Sequence, residues 1–240
     1  MVLKISYQIR FPLGAEFQSD PKYLFIQKIY TSIKRILCIE TKIPNCFSCT
    51  HQDHCLYYFL SGEDFKYFPG ILVDRNQLEK KMFDKRDTLL VTFYLIGLVS
   101  EYVAFIEEYF NTTKELVGVY FQKHLVEIVY LNDSNVYNGE LEFTGLLKDI
   151  KEIEACIRYY NQKYNCHYLM PIIQVISQGS YIRDFNHYHI GTHYFHKNGY
   201  KMKIVTQDYP NIFKQIGIGK CAFIGGGKAN EGANSIKFDK

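Results

Sequence analysis

Polar and apolar residues alternate without a break from Val2 to Phe11. Leu3, Ile5, Tyr7, Ile9 and Phe11 fall on one side, and Lys4, Ser6, Gln8 and Arg10 on the other. A period of two marks a half-buried β-strand, because successive side chains of an extended chain point to opposite faces. Pro12–Leu13–Gly14 ends it, and the period then changes. Phe25, Ile29, Ile33 and the Ile36/Leu37 pair recur at helical spacing, with Lys28, Lys34 and Arg35 on another face. Asp20–Pro21 supplies a cap and a first-turn proline for this helix. Further on, Ile71 to Val73 reads as a short strand and Thr88 to Ile96 as a stronger one, rich in β-formers. Val99, Val103, Ile106 and Phe110 trace a helix, Tyr120 to Leu131 a strand, 132–135 a turn, and Glu140–Phe143 a final edge. The order β-α-β-β-α-β over residues 1–143 is ferredoxin-like, so the fold class is α+β.

A second, shorter unit follows over 144–240. Ile150, Ile153, Ile157, Tyr160 and Tyr164 share one face of a helix from Leu147 to Tyr164. Leu169 to Ile176 and Met202 to Val205 read as strands, and Pro210 to Gln215 as a short helix. Fewer strands are recognisable here, so this unit reads as short, with its strand set incomplete.

Length and composition bound the answer. At 240 residues the chain holds one large or two small domains and can bury a proper core. Tyr and Phe are abundant and Trp is absent, so tyrosine is expected both in the core and at the surface. No apolar run approaches the ~20 residues of a spanning helix. The alternating N-terminus lacks the continuous apolar stretch of a signal peptide. A soluble, cytoplasmic chain without a membrane partner is expected. The net charge of +3 is too small to identify a nucleic-acid partner, but the charge is uneven. Eight lysines lie between Lys197 and Lys240 against Asp208, Glu231 and Asp239, a basic end that suits a polyanion or a solvated face.

Two loops carry candidate chemistry. Cys46–Phe47–Ser48–Cys49 is a CxxC flanked by Cys38 and Cys55, with His51 and His54 as spare ligands. Thiolates at this spacing can share one structural zinc ion; reduced loop cysteines or a redox pair are the other readings. Seven cysteines, an odd number, argue against a disulfide framework. The second loop, Gly217 to Lys228, holds Gly217, Gly219, Gly225, Gly226 and Gly227 with Lys220 and Lys228. Glycine lets backbone N–H groups approach an anion, with lysine adding charge. A flexible turn is the alternative. The GxxxxGK frame of a nucleotide P-loop is absent.

The helix ending in Ile33–Lys34–Arg35–Ile36–Leu37–Cys38, the cysteine loop after it, and Ile216–Gly217–Ile218–Gly219–Lys220 running into Gly225–Gly226–Gly227–Lys228 together resemble a known family. The strand-helix-strand run from Asp87 past Gly118 resembles it too. The family is that of the CRISPR-associated endoribonucleases that process precursor crRNA, within the RAMP superfamily. The resemblance covers most of the chain. It implies two tandem ferredoxin-like domains and repeat RNA held across their cleft and by the glycine loop. It also implies metal-independent cleavage leaving a 2′,3′-cyclic phosphate and a 5′-hydroxyl, and association with other CRISPR effector subunits as a further role. Gly217 stands where many members of this branch would have histidine.

Such cleavage uses the ribose 2′-OH as nucleophile, with a base, an acid and a cation for the phosphorane charge. No cofactor is expected for the chemistry. Half of the eight histidines fall between residues 187 and 196. His187, His189 and His193 share one face if the chain is extended, which would bring two imidazoles to one phosphate. Arg183, Lys197 and Lys201 are the candidate electrostatic partners, and His51 and His54 the second choice. Lys220 and Lys228 are the expected phosphate contacts, with Lys28, Lys34 and Arg35 on the opposite wall. Tyr181, Tyr188 and Tyr194 are candidates for base stacking, or for ordinary packing. Two other functions fit the same residues: a non-catalytic RAMP protein that binds crRNA in an effector complex, and a zinc-stabilised interaction module.

Overall fold

The computed structural model describes residues 1–40, 46–75, 80–183 and 188–232. The alternating N-terminal segment forms strand β1 (Val2–Arg10), and Asp20 caps helix α1 (Pro21–Leu37), its carboxylate accepting from Lys22 N at 2.9 Å. Then come β2 (Ile71–Val73), β3 (Thr88–Ile96), α2 (Ala104–Thr112) and β4 (Gln122–Leu131). All pairings are antiparallel, in the order β2-β3-β1-β4. Both helices lie on the apolar face of β1: Tyr7 stacks on Phe110 of α2 at 4.0 Å, and Phe25 of α1 meets Phe110 at 5.5 Å. The β-α-β-β-α-β reading of the first half therefore stands, with its strands interleaved as a ferredoxin-like sheet requires.

The second half repeats this arrangement in full. Strands β5 (Val136–Phe143), β6 (Ile172–Arg183), β7 (Asn198–Pro210) and β8 (Ala229–Glu231) form one antiparallel sheet in the order β6-β7-β5-β8. Helix α3 (Lys151–Lys163) precedes β6, and the short α4 (Ile212–Ile216) precedes the glycine loop and β8. Two expectations are corrected here. The strand at 140–143 is no edge of the first sheet. It begins at Val136 and pairs with β7 and β8, so the sheets divide at 132–135 instead of after 143. The first sheet already has four strands; Leu141 and Phe143, both fully buried, fill the second core. Nor is the second unit incomplete. Its strands were hidden because β6 is exposed along most of its length and lacks a clean apolar alternation.

Tyrosines join the two units. Tyr164, beyond the end of α3, donates to Phe59 O and Phe68 O, each at 3.0 Å, and Tyr160 donates to Pro69 O at 3.2 Å. These hydroxyls tie carbonyls of the first unit to the second, while their rings fill the seam. Arg75 closes the other end of the seam. Buried, it pairs with Asp20 and donates to Tyr188 Oη and Ile224 O of the second unit, each at 3.2 Å. Among the described residues no helix is long and apolar enough to cross a membrane.

Candidate active site

The histidine-rich segment folds as a β-hairpin of Tyr188–Ile190 and His193–Phe195. Gly191 at φ 57 opens the two-residue turn, the position where a type II′ turn takes glycine. The hairpin leaves the second sheet and lies on α1. Tyr23 Oη and Gln27 Nε2 both donate to His189 O, at 2.6 and 2.7 Å, and the Tyr188 ring packs under Arg75. The reversal of direction decides which side chains share a face. Ile190 lies opposite His193 and Tyr188 opposite Phe195, on the side turned to the protein; His189 lies opposite Tyr194, on the side turned outward. The expectation that His189 and His193 share a face is thus corrected, because it assumed a chain extended through Gly191–Thr192. His187 lies outside the described residues.

His193 meets a carboxylate. Its Nε2 lies 2.9 Å from Asp64 Oδ2, and its side chain is about a quarter exposed while that of Asp64 is wholly buried. Asp64 sits in a left-handed turn, Gly62 to Phe65, with φ of 65, 58, 54 and 63. That conformation costs roughly 1–2 kcal/mol for each residue bearing a Cβ. The turn is held by Ser61, whose Oγ accepts from Asp64 N at 2.9 Å and whose carbonyl accepts from Phe65 N at 3.0 Å. Strain of this kind persists where the surroundings over-determine it, often at functional sites. Tyr57 Oη donates to Asp64 Oδ1 at 3.1 Å, Cys46 N donates to Oδ2 at 3.3 Å, and Lys34 Nζ stands 3.7 Å from Oδ1. Burial raises the Asp64 pKa, but His193, Lys34 and the Cys46 N–H outweigh it and hold the carboxyl well below the usual range. Burial and the neighbouring carboxylate push the Tyr57 hydroxyl well above its ordinary value, so it stays a neutral donor.

A pocket of about 330 Å³ opens beside this cluster, lined by Thr31, Lys34, Arg35, Cys38, Glu40 and Tyr57 and by Ile190 and Gly191 of the hairpin and its turn. Lys28, Thr31 and Arg35 fall on one stripe of α1 at spacings of three and four, leading cationic groups to the pocket. A histidine whose Nε2 stands at ion-pair distance from a buried carboxylate has Nδ1 left for proton transfer, and Lys34 adds a positive charge at the other oxygen of that carboxylate. The arrangement can move a proton beside a bound anion.

The remaining candidates are dispersed. Arg183 and Lys201 lie exposed on β6 and β7, and no contact among the described residues joins them to the Asp64 cluster. The glycine loop is packed inside the protein. A Cβ on Gly217 would stand 2.2 Å from Gly226 O, and one on Gly227 would stand 1.7 Å from Ile218 O. Two arms of the loop thus cross backbone to backbone, and no histidine side chain has room at 217. The N–H groups of Gly217, Gly225 and Gly226 donate to Phe213, Ala222 and Cys221 carbonyls, so those three are already used within the chain. This corrects the expectation that they converge on a phosphate. Gly219 is buried as well, and a Cβ there would press on Glu152 and Leu147. Lys228 pairs with Asp74, and Lys220, partly exposed, donates its backbone N–H to Glu152 at 2.7 Å.

All seven cysteines are free thiols. Cys38, Cys46, Cys49 and Cys55 line one pocket together with His51 and His54. As placed, no three metal-ligating side chains among the described residues are grouped closely enough to hold an ion. Sequence reasoning missed Asp64 and Tyr57, which lie in an aromatic stretch with no recognisable motif. It also missed the hairpin, although Gly191–Thr192 between aromatic alternations is a two-residue turn signal.

No family model and no curated protein sequence matches the chain. Solved structures similar to it over nearly its whole length do exist. One is a Cas6 product complex, with 9% identity, a TM-score of 0.48, and 95% of each chain covered. Another is the product of a Cas6-related gene from Pyrococcus furiosus, with 13% identity, a TM-score of 0.47, and 98% of this chain and 99% of that one covered. A third is Csf5, a type IV CRISPR-Cas Cas6 crRNA endonuclease, with 13% identity, a TM-score of 0.43, and 96% and 99% covered. Each of these three is named as Cas6 or Cas6-related, at 9–13% identity to this chain.

Proposed function

We propose that the chain is an endoribonuclease that cuts CRISPR repeat RNA to release mature crRNA. In the proposed step the ribose 2′-OH attacks the adjacent phosphorus as its proton passes to His193, the P–O5′ bond breaks, and the leaving 5′-oxygen takes a proton from water. The products are a 2′,3′-cyclic phosphate and a 5′-hydroxyl. The observation that carries this reading is His193 facing buried Asp64, with Lys34 both on the same carboxylate and on the wall of the neighbouring pocket. His193 takes the 2′-OH proton through Nδ1, Asp64 positions the ring, and Lys34 faces the charge that develops on the phosphorane. Side chains fill these roles, so the step is written without a metal. Lys28 and Arg35 lead the phosphate backbone along α1, and Tyr194, 75% exposed on the outer hairpin face beside His189, offers a ring for an unpaired base. The sequence resemblance supplies the substrate class.

The test is incubation with repeat RNA from the chain's own locus in magnesium-free buffer, alongside RNA carrying a 2′-deoxy nucleotide at the cut. Cleavage of the first and survival of the second are expected. His193→Ala should lower the single-turnover rate by roughly 10²–10⁴-fold. His189→Ala should leave it within severalfold, since His189 docks on α1 through its backbone oxygen. Wild-type cleavage by His193→Ala would overturn the assignment. Tight binding by the wild-type chain without any cleavage would move it to the role of a non-catalytic crRNA-binding subunit.

A further inference from the structure

The cysteine loop remains after the proposed function is accounted for, and it lies directly against Asp64. We propose that Cys38, Cys46, Cys49 and Cys55 bind one zinc ion, and that the bound ion holds the loop that positions Asp64. Three separate anchors present the thiols. Cys38 ends α1, its N–H donating to Lys34 O at 2.8 Å. Cys46 and Cys49 flank a tight turn in which Cys49 N donates to Cys46 O at 3.2 Å. Cys55 precedes a short helix (Leu56–Leu60), with its N–H on Gln52 O at 3.2 Å.

All four residues are half-buried, none is in a disulfide, and all line one pocket of about 290 Å³. The four side chains line this pocket but, as placed, are not grouped closely enough to hold an ion. An ion that forms bonds of about 2.3 Å to each sulfur would draw them together. Four soft ligands favour zinc over magnesium or calcium. Zinc with four thiolates carries two negative charges, and Lys34, which lines the same pocket, offsets part of them. The ion's influence passes through Cys46, whose N–H donates to Asp64 Oδ2 at 3.3 Å, and Asp64 holds His193. Zinc binding itself is independent of the proposed cleavage; only this last link rests on it.

The experiment measures zinc in the purified full-length chain by elemental mass spectrometry, then replaces it with cobalt(II). About one zinc per chain is expected, with sulfur-to-cobalt charge-transfer bands and the visible bands of a tetrahedral thiolate site. Cys38→Ser and Cys55→Ser should each lose these bands and most of the zinc, whereas Cys221→Ser, outside the pocket, should keep both. If the serine variants do not fold, the cobalt spectrum of the wild-type chain still decides. A folded wild-type chain without zinc and without the cobalt bands overturns the proposal, as does full zinc retention in a folded Cys38→Ser/Cys55→Ser double variant. A zinc-free chain that still cuts repeat RNA would refute the zinc site and leave the proposed function standing.

Discussion

Replacing Gly217 by alanine tests whether the glycine loop serves packing or ligand approach. Gly217 has φ 88 and ψ 163, a region open almost only to glycine, and an alanine held there costs about 1–3 kcal/mol. To this is added a collision: the new Cβ would stand 2.2 Å from Gly226 O, a backbone atom in a crossing closed on both sides. The loop must move by more than an ångström, so the total should reach about 3–5 kcal/mol. For a chain of this size each kcal/mol lowers Tm by roughly 2–4 °C, so a fall of roughly 10 °C is expected. Gly118 is the control. It also has positive φ, 78, but a Cβ there meets nothing within 4 Å. Gly118→Ala should therefore cost only about 1 kcal/mol, or roughly 2–4 °C. Thermal unfolding by circular dichroism at one scan rate compares the two, and filter binding measures repeat RNA on the chain that remains folded. Equal falls in Tm would refute the packing argument. So would a Gly217→Ala chain that keeps its Tm and loses RNA.

The Asp64 carboxyl titrates below its ordinary 3.8 in the folded chain, so its charged form stabilises the fold above that pH, and the contribution is lost as pH falls through and below it. The stability gap between wild type and Asp64→Asn, measured by urea unfolding, should accordingly shrink from about pH 5 to about pH 3; a gap independent of pH would contradict the ion-pair assignment. Tyr164→Phe leaves Phe59 O and Phe68 O without their shared donor and should cost about 1–3 kcal/mol, whereas an unchanged Tm would mean that water replaces the hydroxyl. Lys28→Ala and Arg35→Ala should each weaken RNA binding and reduce its salt slope by about one charge; an unaltered slope would remove that residue from the phosphate track.

Local pattern and tertiary contact contributed differently to this protein. Alternation in Val2–Phe11, the helical spacing from Phe25 to Ile33 and the Asp20–Pro21 start specified β1, α1 and its cap, because periodicity and capping depend only on neighbours along the chain. The order of elements in residues 1–131 likewise determined a ferredoxin-like sheet. The partner of Val136–Phe143 was not local information: a strand after a short turn looks like half of a hairpin, and only the competing sheets decide where it pairs. The candidate site follows the same division. Lys34, Arg35 and His193 were legible from their chemistry, but Asp64 lies 129 residues before His193, and nothing in Gly62–Glu63–Asp64 announces a buried carboxylate. The two-residue turn at Gly191 then changed which face His193 occupies, turning it inward to Asp64 and leaving His189 outside. Composition and periodicity determined which elements form; the pairing of a carboxylate with a histidine from another unit, and the closure of the glycine loop upon itself, belonged to the tertiary structure, since both depend on contacts between segments far apart in the chain.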